Sequence, residues 1–130
     1  MAHFVDTNLV VYAFESGPKA EEALARLGGA TISVQVLNEF ANVCLRKLAY
    51  DRFTIDLLIA EIRSHVASIE PVTEQTHDLA REIVFRHKLG LYDSALLASA
   101  LLADCGTFYS EDMHHGLVIE DRLTIRNPFV

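Results

Sequence analysis

The sequence predicts an α/β fold, a short parallel β-sheet flanked by helices on both faces, and three observations predict it. Short apolar runs rich in β-branched and aromatic residues alternate with longer stretches of helical period along the chain. Helices between successive strands imply right-handed crossovers, and hence parallel pairing. The chain has 130 residues, 51% of them hydrophobic, with mean hydropathy +0.22. That is enough for one core and too little for two, so residues 1–130 are read as one α/β/α domain.

The elements follow in order. Ala2 to Val5 is an apolar run ended by Asp6, the pattern of a buried strand. Asn8 opens a helical stretch through Phe14, closed by Ser16-Gly17-Pro18. Lys19 to Leu27 repeats at helical spacing until Gly28-Gly29 stops it, and Thr31-Ile32-Ser33 is a minimal strand. Val34 to Leu48 is a long amphipathic helix with Val36, Leu37, Phe40, Ala41, Cys44 and Leu48 on its apolar side. Another helix begins at Thr54, with Thr54 or Asp56 as its cap, and runs to Val66. Ile69 to Val72 reads as a strand, and Thr73 caps a helix that ends near Lys88. Asp93 opens a helix that is apolar almost all round, hence buried. Thr107 to Ser110 is a strand, and Leu117-Val118-Ile119 and Leu123-Thr124-Ile125 are short edge strands.

Composition excludes several classes. The apolar content rules out intrinsic disorder, and no run approaches the roughly 18 residues of a membrane span. The N-terminus meets Asp6 with no basic segment before it, unlike a signal peptide. Cys44 and Cys105 are widely spaced and lie among apolar residues, which suits small core side chains in the reducing cytoplasm. The formal net charge is −7, which suits cations or a basic partner better than bare nucleic acid.

Acidic residues fall where such sheets bind ligands, outside the carboxyl ends of the strands. Asp6 ends the first strand, Asp93 starts the buried helix, Asp112 follows the strand ending at Ser110, and Glu39 sits on the first turns of the long helix. Each has a plain structural explanation taken singly: Asp93 as an N-cap, Asp6 with Thr7 and Asn8 around the first helix, Asp112 or Glu111 in a turn, and Glu39 as a snorkelling helix acid. Capping does not explain a shared edge. Two carboxylates about 5 Å apart repel by roughly 3 kcal/mol at an effective dielectric near 20, so a cluster calls for protons or divalent cations. All-oxygen ligands select Mg²⁺ or Mn²⁺ over zinc.

These residues carry a resemblance. Val5-Asp6-Thr7-Asn8 after the first strand, Asn38-Glu39-Phe40 in the third helix, Tyr92-Asp93-Ser94-Ala95 opening a buried helix and Ser110-Glu111-Asp112-Met113 after a strand occur in order. With Gly116-Leu117-Val118-Ile119 and Asn127-Pro128-Phe129, the chain resembles the PIN domain, and within it the VapC-type toxin ribonucleases, nearly end to end. The resemblance implies that Asp6, Glu39, Asp93 and Asp112 are catalytic acids that hold one or two Mg²⁺ or Mn²⁺ ions. It places Thr7 and Asn8 as orienting Asp6, and Ser110 as the hydroxyl beside the fourth acid. It implies metal-dependent hydrolysis of RNA phosphodiesters by water, leaving a 5′-phosphate and requiring no protein nucleophile. It further implies a toxin–antitoxin module: a homodimer and an antitoxin whose basic tail enters the acidic pocket.

Basic residues for RNA are Arg46, Lys47 and Arg52, or Arg86 and Lys88, each of which also reads as an ordinary solvated helix charge. The competing classes are a catalytically silent PIN-like binding module, a haloacid dehalogenase-like phosphatase and a metal-independent ribonuclease. The phosphatase needs a second Asp where Asn8 stands, and the metal-independent enzyme needs a histidine pair, for which only His114-His115 offers itself.

Overall fold

The structure is a computed structural model describing residues 1–130. In chain order the elements are β1 (His3–Val5), α1 (Thr7–Ala13), α2 (Ala20–Leu27), β2 (Thr31–Ser33), α3 (Val34–Arg46), α4 (Arg52–His65) and β3 (Ser68–Glu70), followed by α5 (Glu74–His87), α6 (Leu91–Leu102), β4 (Thr107–Tyr109), β5 (Val118–Ile119) and β6 (Leu123–Arg126). The six strands form one sheet in the order β3-β2-β1-β4-β6-β5, parallel except for the β5–β6 pair. The predicted short, mostly parallel sheet flanked by helices on both faces is the fold observed. No helix is long and apolar enough to cross a membrane.

Successive strand residues point to opposite faces, and both orientations are buried: Phe4 and Val5 in β1, and Thr31, Ile32 and Ser33 in β2. Helices therefore cover both faces. α1 packs on α2 and α3, α5 packs on α6, and β2 touches both α3 and α6. The Phe4 and Phe108 rings stack across the β1–β4 pair with centroids 5.2 Å apart. Leu96, Leu97, Ala98, Ala100 and Leu101 of α6 are buried, as its all-round apolar sequence requires.

Three local expectations are corrected. Asp51, rather than Thr54 or Asp56, caps α4, accepting from the Thr54 backbone N–H at 2.8 Å. Gly90, not Asp93, caps α6, so Asp93 lies within the first turn with its side chain free of a capping role. β6 is interior, between β4 and β5, and only β3 and β5 are edges. The turn from β5 to β6 has Glu120 and Asp121 at φ 52° and 57°, with the Arg122 N–H bonded to the Ile119 carbonyl. Two consecutive positive φ values are the mark of a tight hairpin turn, and this one folds β5 back on the outside of β6.

Candidate active site

Strand order reverses direction at β1–β4, because the chain steps outward from β1 to β2 and β3 and then returns to the other side of β1. The crevice outside the carboxyl ends at such a point collects the residues that follow both strands. Val5 pairs with Tyr109, which sets Asp6 level with Ser110. The Asp6 N–H bonds the Tyr109 carbonyl at 2.9 Å and the Ser110 N–H bonds the Arg126 carbonyl at 3.0 Å.

Asp6 is 7% exposed. Its Oδ1 accepts from the Thr7 backbone N–H and its Oδ2 from the Ser110 hydroxyl, both at 2.7 Å. Burial pushes the carboxyl up to about 6, and the charges of Asp93 and Glu39 push the same way, while the two hydrogen bonds hold it back. Thr7 serves a second acid: its hydroxyl donates to Glu39 Oε1 at 2.7 Å, and Gln35, one turn earlier on α3, donates to Oε2 at 2.8 Å.

Asn8 does not orient Asp6, contrary to what the resemblance implies. Its Nδ2 donates to Asp112 Oδ2 at 3.0 Å, and its Oδ1 is buried without a partner. Both oxygens of Asp6 are already engaged, and consecutive helical residues point about 100° apart, which turns Asn8 toward the 110–113 turn. Ser110 sits beneath that turn, accepting from the N–H groups of Asp112 and Met113 at 3.2 and 3.3 Å.

Asp93 is exposed in the first turn of α6. No protein group donates to its carboxylate, and its carboxyl is pushed up by lost hydration first and by the charges of Glu39 and Asp112 after that. Glu111 goes elsewhere. Its carboxylate is taken by Lys19 and by the Tyr12 hydroxyl, the latter at 2.6 Å, which leaves Asp112 as the acid beside Asn8. Nothing in the sequence pointed to Lys19 or Tyr12 as its partners; only the fold brings residues so distant in sequence together.

The four acids feel one another, yet no three His, Cys, Asp or Glu side chains are grouped tightly enough to hold a metal ion as they stand. Three of the four are instead held by neutral donors: Asp6 by Thr7 and Ser110, Glu39 by Thr7 and Gln35, and Asp112 by Asn8. The largest charge effects on Asp6 and Asp93 come from the other carboxylates, Asp93 and Glu39 on the one and Glu39 and Asp112 on the other. An all-oxygen, uncompensated donor set of this kind suits a hard divalent cation.

The basic candidates separate. Lys47, at the end of α3, lines a cavity of about 360 Å³ together with Thr7, Asn8 and Asp112. Arg46 donates to Asn42 at 3.0 Å, Arg52 pairs with Asp56, Arg86 pairs with Glu120, and Lys88 ends α5 at a left-handed φ of 59°. A larger open depression of about 720 Å³ along α5 contains none of the acids above. Of His114 and His115, the second is engaged elsewhere: its Nδ1 accepts from the Asn127 N–H at 2.9 Å, tying the chain after β6 to the loop before β5.

Comparison with known proteins agrees with the fold. The chain is similar in structure to a toxin–antitoxin complex from Klebsiella pneumoniae, with TM-score 0.72 and 21% identity over 98% of each chain. It is similar to VapBC2 from Rickettsia felis, solved bound to a promoter DNA fragment, with TM-score 0.69 and 20% identity over 98% of each chain. A third similar structure is the sarcin–ricin-loop-cleaving toxin VapC20 of Mycobacterium tuberculosis, with TM-score 0.65 and 21% identity over 82% of this chain and 87% of that one. No curated protein sequence matches the chain. The sequence model of the PIN domain matches residues 3–116, which include all four acids, and the chain therefore belongs to the PIN domain family.

Proposed function

We propose that this protein is a Mg²⁺- or Mn²⁺-dependent endoribonuclease acting in the cytoplasm as the toxin of a type II toxin–antitoxin pair. One observation carries the reading: at one sheet edge Thr7 joins Asp6 to Glu39, Ser110 and Asn8 join Asp6 and α1 to the turn of Asp112, and the charges of Glu39 and Asp112 bear on Asp93. Residues 1–130 act as one catalytic unit, since β6 lies beyond the family match yet completes the sheet beside β4.

Asp6 and Asp93 are the central ligands, with Glu39 and Asp112 completing the set. When bound there, a divalent cation would supply charge neutralisation at phosphate and a more acidic water, so no protein nucleophile would be needed. The chain's residues do the rest. Thr7 holds Asp6 with its backbone and Glu39 with its hydroxyl, fixing two acids through one residue. Ser110 anchors Asp6 and gathers the turn that carries Asp112. Asp93, unhindered by any donor, turns to ligand or water. Lys47, which lines the cavity beside Asp112, contacts an RNA phosphate entering it in this reading.

An antitoxin partner is supported by the similar structures, two of which are toxin–antitoxin assemblies, and by the net charge of −7, which favours a basic tail. Leu24 and Leu57, exposed on α2 and α4, are open to such a partner or to a second copy in a homodimer, whereas Leu9 is core. The catalytically silent module is the second reading, favoured by the absence of any three-residue metal grouping. The phosphatase reading falls with the family match and with Asn8 committed to Asp112.

Incubation of the purified chain with a labelled sarcin–ricin stem-loop and with tRNA in Mn²⁺ tests the proposal. Cleavage to 5′-phosphate ends, lost with EDTA and in Asp93→Asn, is the expected result. Binding without cleavage under every metal condition selects the silent module.

A further inference from the structure

Glu111 and Asp112 are adjacent acids on one turn, and only one of them reaches the site. Ser110 Oγ gathers the Asp112 and Met113 N–H groups, and from that turn the Glu111 side chain runs to Lys19 and to the Tyr12 hydroxyl. Lys19 Nζ lies 5.0 Å from the Tyr12 ring centroid and 5.2 Å from that of Phe129, within cation–π range of both. The Phe129 ring meets Tyr12 edge-on at 5.8 Å, and Asn127 Nδ2 reaches the Glu111 carbonyl at 3.5 Å. Helix α1 and the start of α2 thus meet on the Glu111 carboxylate, which takes no part in the acid edge, while the C-terminal segment holds the Glu111 backbone carbonyl and packs on Tyr12 and Lys19. Lys19 and Tyr12 hold the Glu111 carboxyl below its ordinary range, and Glu111 pushes the Tyr12 phenol up to about 12.

We propose that Glu111 is a positioning residue: anchored by Lys19 and Tyr12, it sets the 110–113 turn so that Asp112, and not Glu111, is delivered to Asn8 and the acid edge. Neighbouring side chains on a tight turn diverge, so holding one decides where the other points. The charge-assisted hydrogen bonds to Glu111 supply the hold, and the aromatic rings keep Lys19 in place. The inference rests on the metal-site reading above and assigns Lys19 and Tyr12 a part in it that neither sequence position suggested.

Calorimetric titration of Mn²⁺ into the full chain tests it, using wild type, Lys19→Met, Glu111→Gln, their double variant, Lys19→Arg and Asp93→Asn. Support structures of this kind contribute about tenfold or more in metal affinity, so each of Lys19→Met and Glu111→Gln is expected to weaken Mn²⁺ by about tenfold. The double variant is expected to be no weaker than the worse single one, because the pair acts as one unit. Lys19→Arg, which keeps the charge, is expected to retain most of the affinity. A Glu111 that itself ligates metal gives the opposite pattern, tighter binding in Lys19→Met and weaker in Glu111→Gln, and overturns the proposal. Lower melting temperatures with unchanged Mn²⁺ affinity in both single variants also overturn it, leaving a purely structural clasp. If Mn²⁺ binds wild type and is lost in Asp93→Asn but untouched by the Lys19 and Glu111 changes, only the positioning role fails. If wild type binds no Mn²⁺, the metal reading fails and takes the positioning role with it.

Discussion

The Ser110 hydroxyl donates to Asp6 Oδ2 at 2.7 Å, joining the ends of two adjacent parallel strands that lie 104 residues apart in the chain. One hydroxyl thereby buries an acid and, through its own lone pairs, carries the turn that presents another. The consequences are measurable in the metal-free protein as well as in the active one.

The first concerns pH. Asp6 has an ordinary value of 3.8 and is pushed up to about 6 by the fold. Between those values the folded state binds more protons than the unfolded one, so stability without metal falls as pH rises and levels off above about 6. The whole effect is about 3 kcal/mol, of which about 1 kcal/mol falls between pH 5 and pH 7. Asp93, raised as well, adds to the same slope, whereas the lowered Asp51 and Glu111 oppose it at the acid end. Urea denaturation in EDTA at pH 5 and pH 7 checks the sign: the midpoint is expected to be higher at pH 5.

Asp6→Asn removes the buried charge, and its amide nitrogen then faces a Ser110 hydroxyl whose lone pairs already serve two backbone N–H groups. That mismatch costs about 1–2 kcal/mol against the roughly 3 kcal/mol relieved at neutral pH. The metal-free variant is expected to melt a few degrees above wild type at pH 8 and no higher than wild type at pH 5, with cleavage abolished. A melting temperature lower by the same amount at both pH values points to Asp6 as a plain helix cap.

Thr7→Val deletes the donor to Glu39 while keeping the shape of a side chain that is 8% exposed. A loss of about 1.5–3 kcal/mol is expected, the size of a hydrogen bond to a charged acceptor. Thr7→Ser restores the hydroxyl and is expected to recover both stability and cleavage. Thermal melts and cleavage rates on the three proteins separate a lost hydrogen bond from a lost methyl.

Lys47→Ala is expected to raise KM for RNA several-fold with little change in kcat, and to reduce the slope of log KM against log salt by about one. Arg52→Ala is the control, since that side chain is almost fully exposed and paired only with Asp56. Equal effects from the two variants would mean that the positive charge acts diffusely rather than at the cavity beside Asp112.

Much of this arrangement was legible in the sequence because strand ends are marked by abrupt changes in polarity. Asp6 interrupts an apolar run, and the buried β1 and α6 follow from their unbroken apolar character. Less legible was what polar side chains choose as partners. Asp93 looks like a cap because Asp favours caps, yet α6 begins two residues earlier at an exposed Leu91 behind Gly90. Phe53, 72% exposed, hid the true start of α4 at Asp51 by breaking the apolar period. The resemblance places Asn8 beside Asp6, whereas helical geometry sends it to Asp112. The Lys19–Glu111 pair spans 92 residues and leaves no periodic trace at all.

Anomalous diffraction from crystals equilibrated with Mn²⁺ addresses the acid edge most directly. A peak within ligand distance of the Asp6 and Asp93 carboxylates, with Glu39 or Asp112 turned in from Thr7 or Asn8 to join them, is the predicted result. Saturating Mn²⁺ that leaves all four side chains on their present hydrogen-bond partners, with no peak among them, would contradict it.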